Sequence, residues 1–342
     1  MRRHFIYPVF FPLVIAAAMT GCQREPLPGV GEPIRFSVGP VAVSTASTKA
    51  DDLPDIAAPA SHLVEDGSTF KLWGSKRIGT GAWDYVFEDV DFTYGLLPSA
   101  SQRSWNPSMA TVPTWVEGAE YRFRAAHRYP AGTIDYQTGT SAEQLVVNYR
   151  MLSENYDLMV AAASTTSAAQ AGDPVPLNFQ HACAAVRFVF RKSAAAGDAV
   201  YKITKFELQY LQTVGTMIYK ASTSGEALGW SFTGDDQTAH VYSTTEDWAM
   251  TDKFEEFSAG KWYFVIPQTL HVTQGEPAVE FSFVAGNNPE SMTNIKLPQT
   301  TWEAGKVYVY YITLQPDSSS LTVSVQDWDA FRVAVDDVIF GI

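Results

Sequence analysis

The sequence predicts an all-β chain of two antiparallel β-sandwich domains in tandem. Three observations carry that expectation. Apolar and polar residues alternate with period two in segment after segment, helical spacing is nearly absent, and turn residues break the runs at strand-like intervals. Roughly 300 residues remain once an export leader is set aside, more than one small core organises.

The leader is "MRRHFIYPVFFPLVIAAAMTGC". Arg2 and Arg3 make a basic start, and Phe5 to Met19 form an apolar stretch, interrupted by Pro8 and Pro12, that is short for a membrane span. Thr20-Gly21-Cys22 places two small residues before a cysteine, the pattern of a bacterial lipoprotein signal. On this reading residues 1–21 are the signal peptide and Cys22 is the lipidated residue, anchoring the chain in the outer membrane through its acyl chains. Each buried methylene adds about 0.8 kcal/mol to such an anchor. An ordinary cleaved signal with an incidental cysteine is the alternative.

Residues 22–33, rich in Pro and Gly, read as a tether. In "IRFSVGPVAVS" Ile34, Phe36 and Val38 alternate, and Val41 and Val43 resume after Gly39-Pro40. This is a first strand with a break, and Pro40 argues against a central position. "TASTKADD" (45–52) is polar and accessible. An N-terminal domain over 34–165 continues through "TFKLWGS", "WDYVFEDVDF", "EYRFRAAHRY" and "NYDLMVAAA". Within it "SAEQLVVNYRML" (141–152) is the one helix candidate. The boundary is placed at 164–174, low in large apolar residues and ending on a Gly-Asp-Pro turn signal.

A C-terminal domain over 170–342 restarts with "VPLNF" and "AAVRFVFR", where Val186, Phe188 and Phe190 face inward and Arg187 and Arg191 outward. Further strand-like runs lead to "FRVAVDDVIFGI", the end of the sequence. Phe331, Val333 and Val335 share one face; Val338, Phe340 and Ile342 share one after a shift at Asp336-Asp337. Either this closes its own sheet or it is a strand offered to a neighbour.

Removing residues 1–21 leaves 22 basic against 37 acidic residues, a net charge of −15. An acidic surface argues against nucleic acid as a partner. With Cys22 acylated, Cys183 has no disulfide partner and reads as a small buried residue. The chemistry of an enzyme does not assemble from spacing: the histidines are scattered, and no catalytic residue, metal or cofactor is called for. Asp89 and Asp91 are an acidic pair that suits a solvated strand face better than a calcium ion. Exposed aromatic side chains are platforms for sugar rings; Trp73, Trp83, Trp105, Trp115, Trp230 and Trp248 are candidates, with Trp105 and Trp115, in loop-like Pro/Ser-rich sequence, put forward for glycan contact, although large aromatics mostly fill sandwich cores.

Several segments also resemble a known family. "NYDLMVA", "VPLNFQHACAAVRFVF" and "LPQTTWEAGKVYVYYITLQPDSSSLTVSVQDW", in that order, are similar to the fimbrillin family of secreted lipoproteins. "STKA" (47–50) looks like the short Thr-Arg/Lys-Ala stretch near the start of such proteins, with Lys49 in place of Arg. The resemblance implies two transthyretin-like sandwiches and a structural or adhesive role in fimbriae. It also implies assembly head-to-tail with other fimbrial subunits or with further copies of the chain. In that scheme a protease removes the first strand, here after Lys49 so that the chain begins at Ala50, and a C-terminal strand, here 331–342, fills a neighbour's groove. The alternative function is a monomeric glycan-binding or adhesin lipoprotein held at Cys22.

Overall fold

The computed structural model describes residues 30–38, 63, 65–97, 101–127, 134–137, 143–151, 156–166, 173–198, 200–222, 225–232, 237–238, 242–257, 261–270, 278–285, 291–297, 299–314 and 319–327. Its strands open with β1 (Phe36–Val38), β2 (Thr69–Ile78), β3 (Asp84–Gly95), β4 (Ser104–Pro107), β5 (Ala119–His127) and β6 (Ile134–Gln137). Next come β7 (Gln144–Arg150), β8 (Met159–Thr166), β9 (Val175–Leu177), β10 (Gln180–His181) and β11 (Ala184–Lys192). After one 3-10 turn, Ala194–Ala196, follow β12 (Tyr201–Gln209), β13 (Leu211–Gln212), β14 (Val214–Ser222), β15 (Gly225–Ser231), β16 (Gln237–Thr238) and β17 (Tyr242–Met250). The last are β18 (Glu255–Glu256), β19 (Tyr263–Val265), β20 (Ala278–Ala285), β21 (Ser291–Lys296), β22 (Lys306–Leu314) and β23 (Ser319–Asp327). Among the described residues no helix is long and apolar enough to cross a membrane.

The all-β expectation holds, with most pairings antiparallel. A six-stranded sheet runs β10-β8-β5-β2-β3-β4, and four-stranded sheets run β17-β12-β20-β21 and β15-β14-β7-β6. Two pairings are parallel: β1 with β9, and β11 with β22, the latter inside the sheet β18-β11-β22-β23 that β19 also joins.

Two main cores result. The first gathers Ile34, Phe36, Phe70, Leu72, Phe87, Phe92, Trp115, Phe123, Val175, Leu177 and Phe179. The second is built on Phe188, Phe190, Phe206, Phe281 and Tyr310, and also takes in Trp73, Leu145, Val147 and Tyr149 from earlier in the chain. As expected, Val186, Phe188 and Phe190 face that core. The opposite face of β11 and β22 carries a smaller cluster, Ala185, Val189, Val307, Val309 and Tyr311, packed against Phe254, Trp262 and Phe264. Arg187 and Arg191 lie on this side with guanidinium groups 4.7 Å and 4.1 Å from the ring centroids of Trp262 and Phe254.

One expectation is corrected and another qualified. Residues 141–152 are not a helix: β7 occupies Gln144–Arg150, between β6 and β14. Leu145, Val147 and Tyr149 are buried while Asn148 and Arg150 are exposed, a period of two that outweighs the helical propensity of its flanks. The boundary at 164–174, in turn, does not divide the strand pairing into independent halves. β7 pairs with β14 from Val214↔Arg150 to Lys220↔Gln144, β1 pairs with β9, and β8 pairs with β10. Val175, Leu177 and Phe179 therefore serve the first core although they follow the turn signal.

A bulge in β3 shifts its parity. Phe87 and Val90 are both buried, and Asp89 between them has φ of 52°. The register opposite breaks at Gly74, where a Cβ would lie 2.7 Å from Phe123 Cδ1, so only glycine lets the sheet close. Asp89 and Asp91 share the Lys71 ammonium at 2.9 and 3.3 Å.

Candidate assembly site

The N-terminal segment is seated by its backbone on both sides. Gly31 N–H donates to the Trp115 carbonyl (2.9 Å), Trp115 N–H to the Glu32 carbonyl (3.0 Å), and Ile34 N–H to the Pro113 carbonyl (2.9 Å). Across from this clip, Val175 N–H donates to the Arg35 carbonyl (2.8 Å), and β1 runs parallel to β9 in the register Phe36↔Val175, Ser37↔Pro176, Val38↔Leu177. Pro176 lacks an N–H, and a three-residue parallel ladder contributes little by itself.

Side chains supply the rest. Ile34 is 1% exposed and Phe36 6%. The Phe36 ring stands edge-on to Phe87, Phe92 and Phe123, with centroids 5.7, 5.3 and 5.0 Å away and interplanar angles of 72°, 85° and 84°. Positive ring edge on negative ring face is the favoured aromatic geometry. One short strand thus plugs the first core through two side chains, at the junction of β9 with the loop before β5.

Trp105 and Trp115 contribute from inside. The expectation of open sugar platforms is corrected: their exposures are 8% and 2%. Trp105 packs on Phe70 (4.5 Å) and Tyr94 (5.3 Å), and Trp115 stands edge-on to Tyr121 (4.7 Å). Pro/Ser-rich flanks made both look like loop residues, yet Trp105 lies in β4, paired with Tyr94, and Trp115 in the segment that clips the N terminus. Tyr121 accepts the Val116 N–H through its hydroxyl (2.8 Å), and burial pushes its phenol up.

Other buried polar groups are held within the fold. His181, 3% exposed in β10, holds Asp157 Oδ2 through Nδ1 at 2.8 Å. Cys183 is a fully buried free thiol, as expected. Among the described residues no group of three or more His, Cys, Asp and Glu comes together as a metal site.

A family model described as "Fimbrillin-like" matches residues 57–328. The chain belongs to the fimbrillin-like family. Solved structures similar to this fimbrillin-like chain include a fimbrial protein from Bacteroides vulgatus ATCC 8482, at 12% identity and a TM-score of 0.55, covering 76% of this chain and 92% of that one. A putative cell adhesion protein from Bacteroides uniformis ATCC 8492 matches at 14% identity and a TM-score of 0.47, over 77% and 93% of the two chains. The tip fimbrial protein Mfa3 from Porphyromonas gingivalis, with a C-terminal truncation, matches at 9% identity and a TM-score of 0.36, over 79% and 97%. No curated protein matches.

Cys22, Lys49, Ala50 and the strand candidate Phe331, Val333, Val335, Val338, Phe340 and Ile342 lie outside the described residues. The structure adds residues that reading the sequence missed. Val175 and Leu177 were visible as a strand, but not as the partner of β1. Nothing in the sequence signals that the Trp115 backbone holds the N terminus.

Proposed function

We propose that this fimbrillin-like chain is a non-catalytic, cell-surface subunit of fimbria-like assemblies whose uncut precursor is tethered in the outer membrane by acyl groups on Cys22. Its subunits join head-to-tail by strand exchange. The observation that carries the reading is the seat of Phe36. A strand of three residues is held by two flanking backbone contacts and fills an aromatic slot between Phe87, Phe92 and Phe123. Cleavage after Lys49 frees every residue before Ala50, β1 included. The slot and the β9 edge then open together. Exposing one Phe-sized apolar site costs about 1.5–3 kcal/mol, which favours a replacement strand over water.

Residues 331–342 have the alternation such a replacement needs, with an apolar residue at every second position on each side of Asp336-Asp337. Main-chain hydrogen bonds would complete the β9 edge while alternate side chains enter the slot. Because the giving and receiving surfaces differ, the contact repeats into a filament rather than closing on itself. Lys49 calls for a Lys-specific or trypsin-like protease rather than an Arg-specific one.

The test is the intact mass and N terminus of the protein taken from the cell surface, beside an unboiled gel. A chain beginning at Ala50 with an SDS-resistant ladder supports strand exchange. A chain beginning at acylated Cys22 and running as a monomer leaves a permanently tethered surface lipoprotein and removes the exchange step.

A further inference from the structure

The face of the six-stranded sheet that turns Trp73 and Ala126 into the second core carries, beyond them at the end formed by the β2–β3 hairpin, two rows of cross-strand neighbours. The first row is Tyr85, Ser75 and Arg122, aligned by the registers Ser75↔Tyr85 and Ser75↔Arg122. The second is Trp83, Arg77 and Glu120: Arg77 pairs with Glu120 across β2 and β5, and its guanidinium lies 4.7 Å from the Trp83 ring centroid. Arg122 reaches the same ring at 4.1 Å, which ties the rows together. Three strands about 4.8 Å apart and two rows about 7 Å apart make a footprint of sugar-ring size.

This patch is open where the other aromatic clusters are closed. Trp73, Trp105, Trp115 and Trp302 are buried, whereas Trp83 is half-buried and Tyr85 is 47% exposed. The Arg77, Glu120 and Arg122 side chains are 31%, 47% and 34% exposed. The middle of the first row is closed: Ser75 is 0% exposed beneath Glu143. Buried Glu143 accepts the hydroxyls of Ser75 and Tyr136, both at 2.6 Å, and faces Arg122 Nη1 at 3.4 Å. Tyr136 in turn meets the Tyr85 ring at 6.1 Å.

We propose that this face binds a neutral saccharide. Tyr85 supplies the ring platform, and the Arg77–Glu120 pair, held at 2.5 Å, offers donors and an acceptor side by side to adjacent sugar hydroxyls. Trp83 and Arg122 position the Arg77 guanidinium by stacking. Charge decides the class of sugar. Arg77 and Arg122 face Glu120 and Glu143, so the patch has no surplus cation for a sugar carboxylate or sulfate, on a chain of net charge −13. The site goes beyond the proposed function and rests on it for surface exposure alone.

The test is a glycan array carrying neutral, sialylated, uronate and sulfated glycans, probed with the surface-derived protein, then calorimetric titration of the hits. Neutral glycans should bind, and Tyr85→Ala and Glu120→Gln should each weaken them about tenfold or more while the thermal midpoint and the unboiled-gel ladder stay as in the parent. Should Tyr85→Ala unfold, the near-isosteric Glu120→Gln decides alone. No glycan bound, acidic glycans only, or hits indifferent to the folded variants each overturn the proposal. A ladder without glycan binding sinks this inference alone, and glycan binding without a ladder sinks strand exchange alone.

Discussion

Cys183 shows how burial converts a reactive group into a core atom. Burial first, and the nearby Asp157 carboxylate second, push its thiol up to about 12 from an ordinary 9.0. Raised in the folded state, the group contributes stability in full below pH 9, and that contribution is lost as pH rises toward 12. Tyr308, pushed up to about 12 from 10.0 by burial, and Tyr136 and Tyr310, raised further by burial, begin to add to the decline as pH approaches 10. Urea unfolding should therefore show a fall between pH 9 and 10 that is about 1 kcal/mol smaller in Cys183→Ala than in the parent. An equal fall in the variant would mean that the thiol titrates alike folded and unfolded. Gly74 tests packing instead. A methyl there meets Phe123 at 2.7 Å and Phe87 at 3.1 Å, both buried and hemmed in, so Gly74→Ala should cost about 1–3 kcal/mol in chemical denaturation. Unchanged stability would show that the rings have room to shift.

At the level of single elements, β1 is the one whose removal the proposed assembly requires. Truncating Phe36 to Ala deletes three edge-on ring contacts and leaves a hole in the first core. The uncut chain should lose about 3–5 kcal/mol. Polymers of chains cut after Lys49 should be unaffected, because they no longer contain the residue. A matching loss in both forms would sever β1 from the exchange scheme. Much of this was legible beforehand: the Ile34, Phe36, Val38 alternation, the strand character of "VPLNF" and the inward set of β11 all follow from period two. Pairing was not. That β1 lies parallel to β9 depends on residues some 140 positions away, and alternation says which side is apolar but not what it faces. β7 misled because "SAEQL" has helix-forming residues, whereas tertiary pairing with β14 set its conformation. Trp105 and Trp115 misled in the opposite sense, since polar flanks say nothing about where a large ring turns inward.

Across the whole molecule, the chain visits its two cores alternately. β1, β3 and β4 build the first; β2, β5 and β8 serve both, sending Trp73, Ala126 and Val160 to the second; β6 and β7 join the second, β9 returns to the first, and β11 onward completes the second. Residues 30–166 expressed alone lack β9, Phe179 and the β14 partner of β7. That fragment should fail to give a cooperative melting transition, and co-expression with residues 173–327 should restore one. A fragment that melts cooperatively alone would make the sheet crossing dispensable. The crossing also bears on a subunit under load. Stretched between residues 65 and 327 in a single-molecule trap, a chain with independent halves would yield in two steps. Here β7 ties the earlier part of the chain to β14, so the trace should show one dominant rupture, and two well-separated ruptures would mean that the β7–β14 ladder carries no load. A fibre of such units would stay at constant length under tension up to a threshold, then lengthen abruptly.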